Sequence, residues 1–343
     1  MQRALDLAAR GLGRVSPNPM VGCVIVHEGK IIGEGWHRQF GGPHAEVNAV
    51  NAVADKGLLA EATFYVTLEP CSYQGKTPAC TDLLTKLKPQ RVVVAANDPN
   101  PQVNGRGLAM LRQAGIEVTT GVLAAGAMAL NKRFFVAMHR QRPYVVVKWA
   151  QTADGFIARK DYNAKWISNA QSRQLVHKWR TEEDAILVGF NTVKYDNPQL
   201  TARDWPGRNP VRVIIDPTLG IGTDFNVFSG DEKVLVFNTV ADAQQGRVTR
   251  VKVSRENMPD EVLAYLYARD IGSVLIEGGA ATLTMFINSG LWDEARVFTA
   301  ATTFTEGIAA PELAVGPAAE QSIAGDRLRI MYNPVTKELW QKS

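Results

Sequence analysis

Short apolar segments alternate with helical patterns along the whole chain, and this alternation restricts the fold more than any other feature of the sequence. Segments such as RVVVAA (91–96), AILVG (185–189) and VLVFN (234–238) are continuously apolar, as strands buried on both faces of a parallel sheet are. Helical patterns such as GLAMLRQAG (107–115) lie between them. The alternation predicts an α/β protein whose helices cover the faces of layered sheets, with ligand sites beyond the strand ends.

Local patterns predict four further elements. They are a helix over 2–12, two strands over 21–37 that are joined at Glu28-Gly29, a helix over 44–57 and a final hairpin over 327–341. Pro43 stands just before the helix over 44–57, where proline is tolerated, and Gly57 ends that helix.

The length of the chain predicts two domains, because 343 residues exceed the ~100–200 residues of one typical domain. The segment ALNKRFFVAMHRQRP (129–143) carries a basic cluster and ends at Pro143. We interpret this cluster as the solvated face of a linker. We therefore expect one α/β domain over residues 1–143 and a second over residues 144–343.

The composition excludes several classes of protein. With 45% hydrophobic and 21% charged residues the chain is typical of globular proteins, and no apolar run approaches the ~18 residues of a membrane helix. The N-terminal segment is typical of an amphipathic helix and not of a secretory signal. The net charge of +4 is too small to predict binding to nucleic acid or membranes. Three cysteines cannot form a disulfide framework in a chain of this length, which favours a reducing cytoplasm.

Four residues form the most informative pattern. His44 and Glu46 fall in the first turn of one predicted helix, Cys71 follows a strand, and Cys80 precedes the next helix. Zinc favours thiolate and imidazole, and a catalytic site keeps a fourth position for a water whose pKa falls towards ~7. A carboxylate beside the metal, here Glu46, can move protons. This is the arrangement of zinc nucleobase deaminases, in which H-x-E is followed by P-C-x-x-C.

One departure from that signature leaves alternatives open, because eight residues and not two separate Cys71 from Cys80. A non-catalytic zinc-binding module is one alternative. A structural zinc site normally has four protein ligands, and only Cys23 could add a thiolate. The apolar run VGCVIV (21–26) instead predicts that Cys23 lies in the core. The other alternative is a zinc deaminase of another base, nucleoside or tRNA with a non-catalytic second domain.

The first half of the chain resembles the deaminase part of the bifunctional riboflavin-biosynthesis deaminase–reductases. The segments that carry the resemblance are PNPMVGCVIV (17–26), GGPHAEVNAV (41–50), VTLEPCSYQGKTPAC (66–80) and NDPNPQVNGRG (97–107). This family shows the longer spacing between the two cysteines. The resemblance covers nearly the whole first domain and implies a cytidine-deaminase-like fold with three layers, α/β/α.

The resemblance implies roles for eight residues of this domain. His44, Cys71 and Cys80 would hold one zinc ion, Glu46 would donate the proton, Asn18 would contact the substrate ring, and Lys76, Asp98 and Asn100 would lie near the ribose phosphate. An amide such as that of Asn18 can both donate to and accept from a pyrimidine edge.

The second half has a Gly278-Gly279 pair between a buried strand and a helix start, where backbone N–H groups and the helix dipole suit a phosphate. No G-x-G-x-x-G follows a strand, so the Rossmann fingerprint is absent. The segments VKWAQTADG (147–155), KWISN (165–169), AILVGFNTVKYDNPQLTAR (185–203), VRVIID (211–216) and LIEGGAATL (275–283) resemble the reductase part of the same family. This implies a dihydrofolate-reductase-like α/β domain that uses NADPH.

The second resemblance implies two sets of binding residues. For the cofactor they are Gln151, Trp166, Thr192, Asp196, Gly279, Ala280, Ala281 and Thr282, and for the phosphoribosyl substrate they are Lys148, Ala164, Arg180, Leu200, Arg203 and Glu277. Arginines supply fork-shaped donors for a phosphate, and a carboxylate can accept from ring N–H groups. The chain departs from the family pattern at Trp149 and Gln151, where the family commonly has smaller residues.

We therefore expect a bifunctional cytoplasmic enzyme that forms a homo-oligomer and binds neither nucleic acid nor membranes. The resemblance implies that the first domain deaminates 2,5-diamino-6-(5-phosphoribosylamino)pyrimidin-4-one with zinc. It implies that the second domain uses NADPH to reduce the ribosyl group of 5-amino-6-(5-phosphoribosylamino)uracil to ribityl.

Overall fold

A computed structural model describes residues 1–74, 78–164 and 166–341. The chain divides into two compact units: Met1–Gln141 together with Glu338–Ser343, and Arg142–Lys337. The break at Gln141 lies close to the predicted junction at Pro143, whereas the C-terminal residues group with the first unit. Among the described helices, none has both the length and the hydropathy that a membrane crossing needs.

The first unit is built around one five-stranded sheet in the order β2-β1-β3-β4-β5. Its strands are β1 (Gly22–His27), β2 (Lys30–Trp36), β3 (Thr63–Leu68), β4 (Arg91–Ala96) and β5 (Glu117–Thr120). Its helices are α1 (Gln2–Ala8), α2 (Ala45–Ala52), α3 (Cys80–Leu87), α4 (Arg106–Gln113), α5 (Ala124–Leu130) and α6 (Lys132–Arg140). Strands β3, β4 and β5 are parallel, so β3 and β4 end at the same edge of the sheet.

Helix α2 lies unusually close to strand β2 because the strand has glycines where the helix crosses it. A Cβ atom on Gly35 would lie 2.3 Å from the backbone nitrogen of Ala49 and 2.6 Å from the carbonyl oxygen of Ala45. Ala45 and Ala49, the facing helix residues, are fully buried. The small residues on both elements therefore fix the N-terminal end of α2, where His44 and Glu46 lie.

The second unit has a ten-stranded sheet in the order β11-β12-β10-β9-β8-β13-β6-β14-β17-β16 and a separate pair, β15-β7. Its strands are β6 (Tyr144–Gln151), β7 (Phe156–Ala158), β8 (Ala185–Gly189), β9 (Val211–Ile215), β10 (Val234–Asn238), β11 (Ala243–Gln245), β12 (Val248–Lys252), β13 (Ser273–Ile276), β14 (Glu294–Thr299), β15 (Ile308–Ala309), β16 (Ala319–Ile323) and β17 (Asp326–Tyr332). The helices of this part of the chain are α7 (Ala170–Glu182), α8 (Phe190–Asp196), α9 (Met258–Tyr267), α10 (Ala280–Asn288) and α11 (Pro334–Gln341). The seven strands from β12 to β14 in this order are parallel.

The predicted hairpin β1–β2 is confirmed, whereas the end of one predicted helix, the final hairpin and the basic linker are wrong. The hairpin β1–β2 turns at Glu28 and Gly29, whose φ values of 47° and 74° are those that a tight two-residue turn requires. The helix expected over 44–57 ends at Ala52, and a separate 3₁₀ helix covers Lys56–Glu61. The predicted final hairpin is wrong, because strand β17 is followed by helix α11, with Pro334 at the helix start where proline fits.

The expected basic linker is also wrong. Residues 124–140 form helices α5 and α6, and α6 buries Phe135, Val136 and Ala137. In α6 the apolar run Phe134–Met138 lies between the basic pairs Lys132-Arg133 and His139-Arg140, and its buried residues make this segment part of the packed first unit.

The contact between α2 and β2 predicts that Gly35→Ala destabilises the first unit. The added methyl would overlap the backbone of α2, and overpacking of this kind typically costs ~1–3 kcal/mol. Thermal unfolding of the variant should begin at a lower temperature than that of the unchanged chain. The control is Gly126→Ala in α5, whose Cβ would meet only the Leu5 side chain at 3.4 Å. Equal melting temperatures for the two variants would contradict this packing argument.

Candidate active sites

The three predicted zinc ligands meet in the first unit. The donor atoms of His44, Cys71 and Cys80 all lie within 4.8 Å of one another. The Nδ1 atom of His44 is 3.5 Å from the Cys71 Sγ atom and 3.3 Å from the Cys80 Sγ atom. Zinc bonds of ~2.1 Å to nitrogen and ~2.3 Å to sulfur at a tetrahedral angle would place these atoms about 3.6 Å apart. The donor set therefore fits zinc, with one coordination position left for water or substrate.

Local structure explains why residues so far apart in the sequence converge here. His44 is the N-cap residue of α2, Cys71 follows the end of β3, and Cys80 is the first residue of α3. The Cys80 backbone N–H donates to the Cys71 Sγ atom at 3.2 Å, and the Thr81 N–H donates to the Cys71 carbonyl oxygen at 3.2 Å. These bonds hold the start of α3 against the end of β3.

The electrostatics of this cluster favour a bound cation. A hydrogen bond with Cys80, together with His44, lowers the pKa of the Cys71 thiol to about 4, while the same contact and burial raise the pKa of the Cys80 thiol. Burial raises the pKa of Glu46, and the Cys71 thiolate adds to that rise. Glu46 is 3% exposed and can hydrogen-bond with Cys80. A metal ion would keep both sulfur atoms as thiolates and leave the Glu46 carboxyl beside them as a proton carrier.

Cys23 is fully buried in strand β1. Among the described residues, the cluster that could hold a metal ion consists of His44, Cys71 and Cys80 and does not include Cys23. This agrees with the prediction that Cys23 belongs to the core.

His37 is a residue of this site that the sequence did not reveal. Its Nδ1 atom lies 3.1 Å from the Pro43 carbonyl oxygen, and its Nε2 atom lies 3.2 Å from the Asn18 side-chain nitrogen. The carbonyl can only accept, so the proton is on Nδ1. Burial lowers the pKa of His37, which keeps the ring neutral and leaves Nε2 to accept from Asn18. Since the Asn18 side-chain nitrogen faces His37, the amide oxygen is oriented away from it.

The predicted phosphate region is only partly described. Lys76 lies outside the described residues. Asp98 is buried two positions after the end of β4, and Asn100 hydrogen-bonds with Tyr73, which follows Cys71 closely in the chain. Burial raises the pKa of Asp98 to about 7, and the charges of Glu69 and Cys71 add to the rise. Asp98 and Asn100 therefore lie on the same side of the sheet as the zinc ligands.

The second unit contains a cavity of about 920 Å³. Thirteen of the fourteen residues predicted for this unit line it: Lys148, Ala164, Trp166, Arg180, Thr192, Asp196, Leu200, Arg203, Glu277, Gly279, Ala280, Ala281 and Thr282. A cavity of this size and mixed lining is typical of a cofactor site.

Gln151 lies outside the set of described residues that line this cavity. Its side-chain oxygen accepts a hydrogen bond of 2.7 Å from the Trp149 indole nitrogen. The two departures from the family pattern are thus explained together, because the larger side chains at these positions bind each other. The predicted contact between Gln151 and the cofactor stays a prediction.

Glu277, Arg180 and Lys148 form a charged cluster on one wall of the cavity. The two carboxylate oxygens of Glu277 accept from Arg180 at 2.8 Å and 2.9 Å, and the Lys148 Nζ atom is 3.6 Å from one of them. Glu277 follows β13, whose last residue pairs with Val147 in β6, so the sheet register brings Lys148 next to it. Burial raises the pKa of Glu277, but Arg180 and Lys148 outweigh burial and lower the pKa to about 2. Burial lowers the pKa of Lys148.

The N-terminal end of α10 supplies a second wall. The Gly279 N–H donates to the Thr192 hydroxyl at 3.0 Å, and Ala280 and Ala281 line the cavity in the first turn of the helix. The first backbone N–H groups of a helix have no partner within the helix and bind phosphate well. This end of α10 therefore fits the pyrophosphate of a dinucleotide.

Sequence reasoning also missed aromatic residues at this cavity. Tyr162 and Tyr195 both line it and stack with ring centres 4.3 Å apart. Tyr195 lies within the segment 185–203 that carries the resemblance, but the resemblance implies no role for it, and Tyr162 lies outside the matching segments. Only the fold, which brings the segment after β7 next to α8, places the rings together.

Comparisons with known proteins identify the family of the chain. The family model described as "Cytidine and deoxycytidylate deaminase zinc-binding region" matches residues 1–96, and the model described as "RibD C-terminal domain" matches residues 143–314. The riboflavin biosynthesis protein RibD of Aquifex aeolicus is 40% identical over 321 residues, which cover 92% of this chain and 90% of the relative. The chain belongs to the RibD family. RibD of Escherichia coli is 37% identical, with 88% of this chain and 86% of the relative covered.

Crystal structures of RibD proteins agree with this assignment. The deaminase/reductase of Thermotoga maritima is 39% identical and superposes with a TM-score of 0.89, covering 97% of each chain. Acinetobacter baumannii RibD is 34% identical with a TM-score of 0.89, covering 96% of this chain and 97% of that one. These likenesses confirm the predicted fold class, with a cytidine-deaminase-like domain followed by the RibD reductase domain.

As a RibD protein, the chain is a bifunctional deaminase and reductase of riboflavin biosynthesis that uses zinc and NADPH. The alternative of a non-catalytic second domain is not supported, because the RibD C-terminal domain model matches that half. The non-catalytic zinc module is not supported either, since the family is enzymatic. The roles of individual residues remain predictions.

The ligand set predicts that Cys71→Ser or Cys80→Ser lowers the zinc content, because a hydroxyl binds zinc far less well than a thiolate. Cys23→Ser is the matched control and should retain about one zinc ion per chain, as a catalytic zinc site would. Elemental analysis of the three purified, folded proteins measures this. Zinc loss in the Cys23 variant alone would show that the ligand set is wrong.

The charged cluster predicts a pH-dependent effect of Glu277→Gln. The folded-state pKa of about 2 is below the ordinary 4.5, so ionised Glu277 stabilises the second unit fully above pH 4.5 and loses this effect as the pH falls towards 2. Breaking a buried ion pair by removing one partner typically costs ~3–5 kcal/mol. Calorimetric scans at a series of pH values should show that the variant melts well below the unchanged protein near neutral pH. The difference should shrink in acid, and a difference that grows in acid would contradict the assignment.

Proposed function

We propose that the first unit deaminates 2,5-diamino-6-(5-phosphoribosylamino)pyrimidin-4-one and that the second reduces the ribosyl group of 5-amino-6-(5-phosphoribosylamino)uracil to ribityl. The observation that carries the first step is the convergence of His44, Cys71 and Cys80 beside the buried Glu46 carboxyl. The name of the Thermotoga maritima relative, a diaminohydroxyphosphoribosylaminopyrimidine deaminase and 5-amino-6-(5-phosphoribosylamino)uracil reductase, supports both substrates.

In the deaminase site, His44, Cys71 and Cys80 would hold the zinc ion. When bound, zinc acts as a Lewis acid and makes water a nucleophile near neutral pH. The Glu46 carboxylate takes a proton from water as the water oxygen bonds to the amine-bearing ring carbon, and it passes this proton to the amine nitrogen. The C–N bond then breaks and ammonia leaves. The raised pKa of Glu46 suits this double role, because an acid–base group works best with a pKa near the working pH.

The ring and the phosphate of the substrate bind to residues next to the zinc ligands. The Asn18 amide oxygen, oriented by His37, accepts a hydrogen bond from the substrate's ring or its amine. Lys76, Asp98 and Asn100 bind the phosphoribosyl part. The position of Asp98 and Asn100 after strand β4, on the side of the zinc ligands, supports this assignment.

In the reductase site, the N-terminal end of α10 and Thr192 would hold the NADPH phosphates, with Trp166 and Asp196 along the same cavity. NADPH supplies the hydride when bound. Lys148 and Glu277 orient the pyrimidine ring, and Arg180 holds Glu277 in place. Arg203, whose side chain is half exposed at the cavity, binds the substrate phosphate, and Ala164 and Leu200 complete the pocket.

We also propose the finer assignments that the sequence predicts: functional domains over residues 1–143 and 144–343, a cytoplasmic location, a homo-oligomer and no binding of nucleic acid. The net charge of +4 supports a small-molecule enzyme and not a nucleic-acid-binding one. Three cysteines without a disulfide among them support a reducing compartment.

The proposed role of Glu46 predicts that Glu46→Gln retains zinc and loses deamination. The amide keeps the shape of the side chain and cannot carry a proton, and such groups typically contribute ~10²–10⁴-fold to the rate. Ammonia release and zinc content are measured on the same preparation. Glu61→Gln, which changes an exposed carboxylate in the same unit, should leave both unchanged. Near-normal ammonia release by Glu46→Gln would contradict the role.

The separation of the two sites predicts that Arg203→Ala weakens reduction alone. Loss of a charged hydrogen bond to phosphate should raise KM about tenfold to a hundredfold. Each step is assayed with its own substrate, so that the reductase receives the deaminated intermediate directly. Arg269→Ala, at an arginine that lies over Tyr265, is the control. If Arg203→Ala impaired deamination and left reduction unchanged, the assignment of the domains would be wrong.

A further inference from the structure

Glu69 is a buried acidic residue of the first unit that the mechanism above does not use. It follows strand β3 directly, is 3% exposed and precedes Cys71 by two positions. Its own backbone N–H donates to the Ala96 carbonyl oxygen at 2.9 Å, which ties the ends of β3 and β4 together.

The Glu69 carboxylate accepts three hydrogen bonds from one segment of backbone. One oxygen accepts from the N–H groups of Asp98 at 3.3 Å and Gly105 at 2.9 Å, and the other accepts from Leu108 at 3.3 Å. These donors span the loop after β4 and the first turn of α4. One side chain thus binds both ends of the loop that carries Asp98 and Asn100.

The start of helix α4 also packs closely against Glu69 and Pro70. A Cβ atom on Gly107 would lie 2.3 Å from the Pro70 carbonyl oxygen and 3.2 Å from a Glu69 carboxylate oxygen. The start of α4 therefore rests directly on the Glu69–Pro70 backbone, next to Cys71. Within the loop, the Asp98 side chain accepts from the Asn100 N–H at 2.8 Å, so fixing Asp98 also fixes Asn100.

We propose that Glu69 is a positioning residue of the deaminase: its carboxylate holds the segment from Asp98 to Leu108, and with it Asp98 and Asn100, in register with the zinc ligand Cys71. Since Asp98 and Asn100 contact the substrate only under the proposed function, the role of Glu69 rests on that function. Glu69 acts through these residues and does not touch the reacting atoms.

The test is Glu69→Gln in the full-length protein. In either orientation the amide presents an N–H group to at least one backbone N–H, so at least one bond from the loop is lost. We expect KM of deamination to rise about tenfold to a hundredfold, as for the loss of a hydrogen bond to a charged group. The kcat value, the zinc content and the reductase activity should stay close to those of the unchanged protein.

A purely structural role would give a different pattern. Then Glu69→Gln would lower zinc content and kcat together and leave KM unchanged in the folded fraction, and that result would overturn the proposal. Asp55→Asn is the matched control, because Asp55 also accepts from a backbone N–H, that of Gly57 at 2.9 Å, but on an exposed turn. Its kinetics should not change. If Glu69→Gln does not fold, Glu69→Asp, which keeps the charge with a shorter reach, should raise KM to a smaller extent, and an unchanged KM would again overturn the proposal.

Asn100→Ala separates failure of this role from failure of the proposed substrate contacts. If Asn100→Ala leaves KM unchanged, the proposed contact is wrong and the role of Glu69 falls with it. If Asn100→Ala raises KM and Glu69→Gln does not, the positioning role alone is wrong. The double variant should raise KM by less than the product of the two single effects, because residues that act through one another are not additive.

Discussion

The deaminase site depends on holding the three proposed zinc donors, separated by up to 36 positions in the chain, so that their atoms lie within 4.8 Å of one another. Two features of the fold make this possible. Parallel strands β3 and β4 end at one edge of the sheet, which brings Cys71 next to the loop that follows β4. Helix α2 packs directly on Gly35 of strand β2, which fixes His44 and Glu46 at the same edge. This packing also shifts the pKa values of the site, because burial raises the pKa of Glu46 and the hydrogen bond between the two sulfur atoms lowers the pKa of Cys71.

The site in the second unit depends on charged side chains that are buried in a cavity. Glu277 and Lys148 are neighbours because strands β13 and β6 pair in register. Arg180, on helix α7, donates a hydrogen bond to each of the two carboxylate oxygens of Glu277. A bidentate pair of this kind fixes direction as well as charge, which suits a site that must orient a planar ring. The backbone N–H groups at the start of α10 provide the complementary site for phosphate. Each chemistry thus uses the carboxyl ends of parallel strands in its own unit.

The sequence allowed much of this to be predicted, for physical reasons that differ between residues. Cys71, Cys80 and His44 belong to few residue types that bind zinc, and their spacing around predicted elements was informative. The boundaries of α2 and the helix α11 were missed, since apolar spacing alone does not show where a helix ends or whether a short segment after a proline is helix or strand. His37 hydrogen-bonds with Asn18 and Pro43, and Glu69 accepts from backbone groups up to 39 positions away; no sequence pattern reveals such bonds. The pair of Trp149 and Gln151 was noticed only as a departure, and the structure shows that the two side chains bind each other.

X-ray absorption at the zinc edge of the purified protein tests the central claim most directly, namely that His44, Cys71 and Cys80 hold a zinc ion with one position open. The account predicts two sulfur neighbours at ~2.3 Å and two nitrogen or oxygen neighbours at ~2.0–2.1 Å, one from His44 and one from solvent. Addition of a substrate analogue that replaces the solvent ligand should change the light-atom shell and leave the sulfur shell unchanged. A third sulfur neighbour would identify Cys23 as a ligand and a closed structural site, and would contradict the account.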